Sequence, residues 1–257
     1  MSNTNGNVYP AWGINAQNQV FAVDSNNKIH TLSDADFAEV IGISQNGIIW
    51  AISTKPDPPS GSYLYWSAGD GKWTPAANVP GSMYMTGGGP DVAVVCTEDG
   101  AIWYVDIDGS SVLAANIQDV QAIDFGGAYL WAVFPTTPGG QPCLQFSNVM
   151  EQPIYWTSFK GQPEPMNISV CYSGDCYGVE DFKPIYYSHD GISTGSAGSG
   201  ADGSTLAQSF KNTWYLLSTV ADKDGNEVMI WVDEAGGTFV NAGFKAIQVL
   251  GSYYLGS

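Results

Sequence analysis

A short run of apolar and aromatic residues, followed by a turn rich in Asp, Gly, Ser or Asn, returns six times along the chain. The copies are Val20-Phe21-Ala22-Val23-Asp24, Leu64-Tyr65-Trp66-Ser67, Ile102-Trp103-Tyr104-Val105-Asp106, Ile154-Tyr155-Trp156-Thr157, Ile185-Tyr186-Tyr187-Ser188 and Met229-Ile230-Trp231-Val232-Asp233. Such runs, bounded by turn residues, read as strands. Aligned on the second aromatic, the column falls at Ala22, Trp66, Tyr104, Trp156, Tyr187 and Trp231, at intervals of 44, 38, 52, 31 and 44 residues. A unit of about 40–45 residues holding several strands cannot bury its own apolar face and must stack on copies of itself. The expectation is an all-β chain, folded over residues 1–257 as a single β-propeller domain. Six blades fit the repeat, with five or seven as the alternatives.

A second recurrence lies between the units. Residues 40–44 lead through Asn46-Gly47 into 48–53, and 120–125 lead through Gly126-Gly127 into 129–133. Likewise 168–172 pass through Gly174-Asp175 into 176–179, and 206–210 pass through Asn212 into 214–217. We read each pair as an outer strand of one blade passing into the inner strand of the next. The inner strands so defined are continuously apolar, as strands covered on both faces are, and Trp12, Trp50, Trp131 and Trp214 are expected to pack between blades. Residues 246–251 repeat the junction at the end of the chain. Pairing with the beginning, near Trp12, would close the ring and remove an open edge. The Gly/Ser-rich run 193–204 reads as an insertion at a blade turn.

Charge narrows the partners. Asp and Glu number 25 against eight basic residues, for a formal net charge of −17. All eight are lysine. Nucleic acid and anionic lipid call for clustered cations, so neither is expected as a partner. The chain also lacks the guanidinium fork that grips carboxylate or phosphate; a neutral or lightly cationic ligand fits better. No apolar run approaches the roughly 20 residues of a bilayer span, so membrane insertion is not expected. The N-terminus, Met1 to Asn7, lacks the basic and apolar regions of a signal peptide, which predicts a cytoplasmic protein or one secreted by a non-classical route. The four cysteines have no zinc-type spacing; Cys171 and Cys176 are close enough to bridge. The acidic runs 106–109 and 222–227 have the oxygen-rich look of calcium loops, but hairpin turns explain both. No metal and no cofactor are expected.

The aromatic column is the best binding signal. Paired aromatics such as Tyr65-Trp66, Trp103-Tyr104 and Tyr186-Tyr187 put one ring on each face of a strand. An indole or phenol offers a flat apolar face with a polar tip, which suits the C–H patches of a sugar ring. The stacking candidates are Trp66, Trp73, Tyr104, Trp156, Tyr187 and Trp231, with Asp70, Asp106 and Asp190 as partners for sugar hydroxyls. The repeat, with Gly47 to Ser53 reading Gly-Ile-Ile-Trp-Ala-Ile-Ser and Gly100 to Trp103 reading Gly-Ala-Ile-Trp, resembles the tectonin-type β-propeller lectins. That resemblance implies six blades, several sugar sites between adjacent blades or at their edges, and a role in recognising foreign glycans. Ala22 departs from the aromatic column and puts a sixth site in doubt. Turns 187–191 and 67–73 resemble the Asp-box of sialidase propellers, yet a sialidase needs arginines. His30 and His189 lie in unrelated units with no Ser elbow or Cys partner nearby. The expected function is a multivalent lectin for glycans or glycoconjugates, not an enzyme, with homo-oligomerisation left open. The alternatives are a protein-interaction propeller and a propeller glycosidase or lyase.

Overall fold

The computed structural model describes residues 9–44, 46–57, 62–76, 82–87, 92–97, 101–109, 111–116, 120–134, 143–148, 155–160, 165, 167–170, 173–191, 194–196, 203–208, 213–232 and 238–251. Their strands fall into six four-stranded antiparallel sheets. The first sheet, from the axis outward, is β24 (Gln248–Gly251), β1 (Ala11–Ile14), β2 (Val20–Val23) and β3 (Ile29–Thr31). The second is β4 (Ala38–Ile43), β5 (Ile49–Ser53), β6 (Leu64–Ser67) and β7 (Thr74–Pro75). The third is β8 (Ser82–Gly87), β9 (Val92–Thr97), β10 (Ala101–Asp106) and β11 (Ser111–Asn116). The fourth is β12 (Ala122–Gly126), β13 (Tyr129–Phe134), β14 (Cys143–Asn148) and β15 (Thr157–Ser158). The fifth is β16 (Asn167–Val170), β17 (Cys176–Glu180), β18 (Lys183–Tyr187) and β19 (Thr194–Ser196). The sixth is β20 (Gly203–Gln208), β21 (Trp214–Asp222), β22 (Gly225–Val232) and β23 (Thr238–Ala246).

The first strands of the sheets meet in a closed circuit: β4 touches β8, β8 touches β12, and so on through β16, β20 and β24 back to β4. This is a β-propeller. Its seal is the pairing of β24 with β1, in the register Ala11↔Gly251 to Ile14↔Gln248, so chain end and chain beginning share one sheet as the sequence led us to expect.

The assignment of inner and outer strands is corrected. Each pair read as crossing from one blade to the next is a hairpin inside one sheet: β4–β5, β12–β13, β16–β17 and β20–β21. The strand read as outer is the one nearest the axis. β1 and β5, buried at every residue, stand second in their sheets, sandwiched between both neighbouring sheets, and β2, third in its sheet, is buried throughout as well. The run 193–204 is likewise no simple insertion, since Thr194–Ser196 is the outer strand β19 and β20 begins at Gly203; residues 197–202 lie outside the described residues. Cys176 is buried, its Sγ 3.7 Å from the Tyr177 carbonyl; the expected pairing with Cys171 falls on a residue outside the described ones.

Each seam between neighbouring sheets has its own apolar cluster, and strand alternation fills it. In β2, Val20 and Ala22 join Trp12, Ile41 and Ile49 in the seam with the second sheet. Phe21 and Val23 point the other way and join Tyr215 and Val228 of the sixth. In β5, Trp50 and Ile52 meet Val95 and Val105 of the third sheet, while Ile49 and Ala51 meet the first. Burying such a side chain contributes about 1.5–3 kcal/mol, and among the described residues the buried clusters lie in these seams.

Candidate functional site

Antiparallel order gives the ring two unlike rims. One, the turn rim, carries the turns between first and second and between third and fourth strands. The other, the link rim, carries the turns between second and third strands and the links from sheet to sheet. On the turn rim the third strand ends four times with one device, a backbone N–H donating to the side-chain oxygen two residues earlier. Asn26 donates to Asp24 (2.8 Å), Gly69 to Ser67 (3.2 Å), Asp108 to Asp106 (3.4 Å) and Asp190 to Ser188 (3.4 Å). Asn27, Gly109 and Gly191 follow in the left-handed region, with φ of 59°, 86° and 76°. Asp70 sits one step later and accepts from the Lys72 N–H (3.0 Å).

Asp70, Asp106 and Asp190 therefore do share a rim, one each on the second, third and fifth sheets. Asp70 and Asp106 also hold their turns together through their carboxylates. Among the described residues no three metal-ligating side chains gather.

The aromatic column does not form one stripe. Trp73 belongs to the seam between first and second sheets, its indole donating to the Leu32 carbonyl (2.9 Å) and its ring 4.8 Å from Phe37. Trp66 lies opposite Trp50 in register and packs in the seam with the third sheet. Tyr104 and Trp156 share the next seam, where Trp156 meets Phe134 edge-on at 5.6 Å. Tyr187 leans the opposite way, toward the fourth sheet, and is 0% exposed. Its ring offers no face to a ligand, and burial pushes its hydroxyl far above the usual range. Trp231 pairs with Phe239 in register, and its side chain lies outside the described residues. The alignment mixed strand positions of opposite parity, and a one-residue offset flips a side chain to the other face.

Besides the Ser147 hydroxyl, two seams hold aromatic polar tips without partners. Among the described residues, the indole N–H of Trp50 and Trp66 and, one seam on, the Tyr104 hydroxyl and the Trp156 indole N–H are buried with no hydrogen bond. Elsewhere such tips are satisfied, as with Trp73 and with Trp131, which donates to the Gly174 carbonyl (2.9 Å). Burial pushes the Tyr104 hydroxyl up to about 12, so it stays a donor. The rings of Trp66, Tyr104 and Trp156 remain half-buried, and Tyr155 beside Trp156 is 68% exposed.

Sequence reasoning missed a constellation on the turn rim between the fourth and fifth sheets. The His189 ring lies 4.9 Å from Tyr129, tilted by 32°, and its Nδ1 is 2.6 Å from Asp175 Oδ1. Asp175 also accepts from the His189 backbone N–H (3.0 Å) and the Ser173 hydroxyl (2.9 Å). Burial pushes the Asp175 carboxyl up, but these bonds, with one from Tyr186, outweigh it and hold it below its ordinary value. An anionic Asp175 holds the imidazole through Nδ1, the way a carboxylate orients a histidine. The signal was present only as two separate turns, Gly174-Asp175 and Ser188 to Gly191, whose closeness is a product of strand register.

No protein-family model matches the sequence, and no curated protein matches it. Solved structures match in shape. Virginiamycin B lyase from Staphylococcus aureus is 12% identical with a TM-score of 0.56, over 89% of this chain and 79% of its own. A gluconolactonase from Xanthomonas campestris is 13% identical with a TM-score of 0.52, over 82% and 85%. YCF48 bound to a D1 peptide is 12% identical with a TM-score of 0.52, over 94% and 76%. At such identity the likeness establishes the β-propeller fold alone, and these neighbours show that the fold serves catalysis and binding alike.

Proposed function

We propose that this chain is a multivalent, non-catalytic carbohydrate-binding propeller that takes uncharged glycans along the seams between its second, third and fourth sheets. The observation that carries this reading is the row of half-buried aromatic faces along those two seams, Trp66 in one and Tyr104 with Trp156 in the next, with Tyr155 68% exposed beside them. The half-buried rings and exposed Tyr155 supply apolar faces for a pyranose. The net charge of −17 without arginine supports neutral over acidic sugars. Two weak seams gain strength together on a glycan-coated surface.

Tyr155→Ala tests this directly, because it removes the exposed ring beside Trp156 and leaves the buried seam intact. Wild type should bind one glycan class on an array, and the variant should bind about tenfold more weakly, the equivalent of ~1.4 kcal/mol. Its thermal midpoint should hold. A blank wild-type array, or a variant that binds like wild type, would sink the reading. The His189–Asp175 pair favours a second reading, a propeller lyase or glycosidase with His189 moving the proton. Turnover of glycan substrates, lost in His189→Gln, would decide for it.

A further inference from the structure

The hairpin from β17 to β18 turns through Asp181 and Phe182, between the paired Glu180 and Lys183. Both turn residues have positive φ, 48° and 63°. This is the two-residue geometry that Asp-Gly or Asn-Gly adopts with least strain. At the second position stands Phe, a bulky residue for which left-handed backbone is disfavoured. Burial does not offset that cost, because the side chain is 46% exposed. The turn is nevertheless pinned, its Phe182 carbonyl accepting from the Gly203 N–H of β20 in the next sheet (3.0 Å). A strained residue held in place by its surroundings and left exposed points to function.

Phe182 is not alone on the link rim. On the sixth sheet, β21 and β22 run to nine and eight residues, against four to six for second and third strands elsewhere. Their hairpin therefore projects, and it carries Val220 at 58% exposure. Ile247, 41% exposed, follows at the link into the first sheet, anchored by its N–H to the Ile14 carbonyl (2.7 Å). The charge here is acidic. Across these hairpins Glu180, Asp181, Asp222, Asp224 and Glu227 outnumber Lys183, Lys223 and Lys245. Two of the lysines are already engaged, Lys223 with Asp224 (3.8 Å) and Lys245 with Asp222.

We propose that the link rim of the fifth, sixth and first sheets is a docking surface, anchored by Phe182, for a protein segment presenting an apolar side chain flanked by lysine or arginine. Apolar contact with Phe182 and Val220 supplies the anchor, and the carboxylates supply orientation and selectivity by sign. A cation over the Phe182 ring adds to both. The surface lies on the rim opposite Asp70, Asp106 and His189, so it stands independently of the glycan reading.

The test is binding of the intact protein to arrayed peptides that vary in net charge and aromatic content, for wild type and Phe182→Gly. Cationic apolar peptides should retain wild type, lose it at high salt, and bind Phe182→Gly at least about tenfold more weakly. The thermal midpoint of Phe182→Gly should rise, since Asp-Gly relaxes the turn. Phe182→Asn, which also tolerates left-handed backbone, should behave the same way. A lower midpoint in both variants would make Phe182 a structural cover and overturn the proposal. Equal peptide binding by wild type and variants, or retention by acidic peptides or none, would overturn it too.

Discussion

Gly174 shows how much one position can carry. Its φ is 89°, and a Cβ there would fall 2.4 Å from the Tyr129 ring. Only glycine lets that ring approach, and the same residue's carbonyl accepts the Trp131 indole. Next to it, Asp175 makes the His189 contact, and its lowered pKa has a sign that can be checked. A carboxyl held below its ordinary 3.8 in the fold contributes stability that is complete above that value. The contribution is lost as pH falls through the lower, folded pKa. Asp175→Asn should therefore be less stable than wild type at neutral pH, and the gap should close on acidification below 3.8. Urea unfolding across that range measures it. Two curves falling in parallel would show that the Asp175 bonds do not stabilise the fold.

At the scale of elements, the innermost strands are held by polar side chains. The Gln248 amide of β24 spans to β4, its Oε1 accepting the Ile41 N–H (2.9 Å) and its Nε2 donating to the Ile41 carbonyl (3.1 Å). Asp124 of β12 accepts the Val170 N–H of β16 (2.6 Å). Gln248→Ala strips two backbone groups of their partner at once and should cost about 1–3 kcal/mol, read as a lower urea midpoint with unchanged slope. These clasps explain why the strand order was misread. Asp124 and Gln248 break the apolar pattern of the axial strands, whereas β1 and β5 keep it. Hydrophobicity in the sequence reports how many faces are covered, not distance from the axis. Hairpin ends were legible because Asp24, Ser67, Asp106 and Ser188 satisfy their turns locally. The burial of Tyr187 and the meeting of His189 with Asp175 were not, because both depend on register between strands and sheets.

For the molecule as a whole, stability rests on closure. Six seams each supply an apolar cluster among the described residues, and none suffices alone; a net charge of −17 repels the sheets from one another. The last seal is β24, whose four residues supply the innermost strand of a sheet otherwise built from the chain's beginning. Its Val249 belongs to the cluster against the sixth sheet and its Leu250 packs on the cluster against the second, with Gln248 clasping β4. A chain ending at residue 247 loses all three together and leaves the buried edge of β1 without its ladder partner. We expect it to lack the cooperative urea transition of the full chain, and a peptide of residues 248–257 added in trans to restore it. Near-ultraviolet circular dichroism of the many tryptophans reads both outcomes. A shortened chain that unfolds at the full-length midpoint would place the closing interaction elsewhere in the ring.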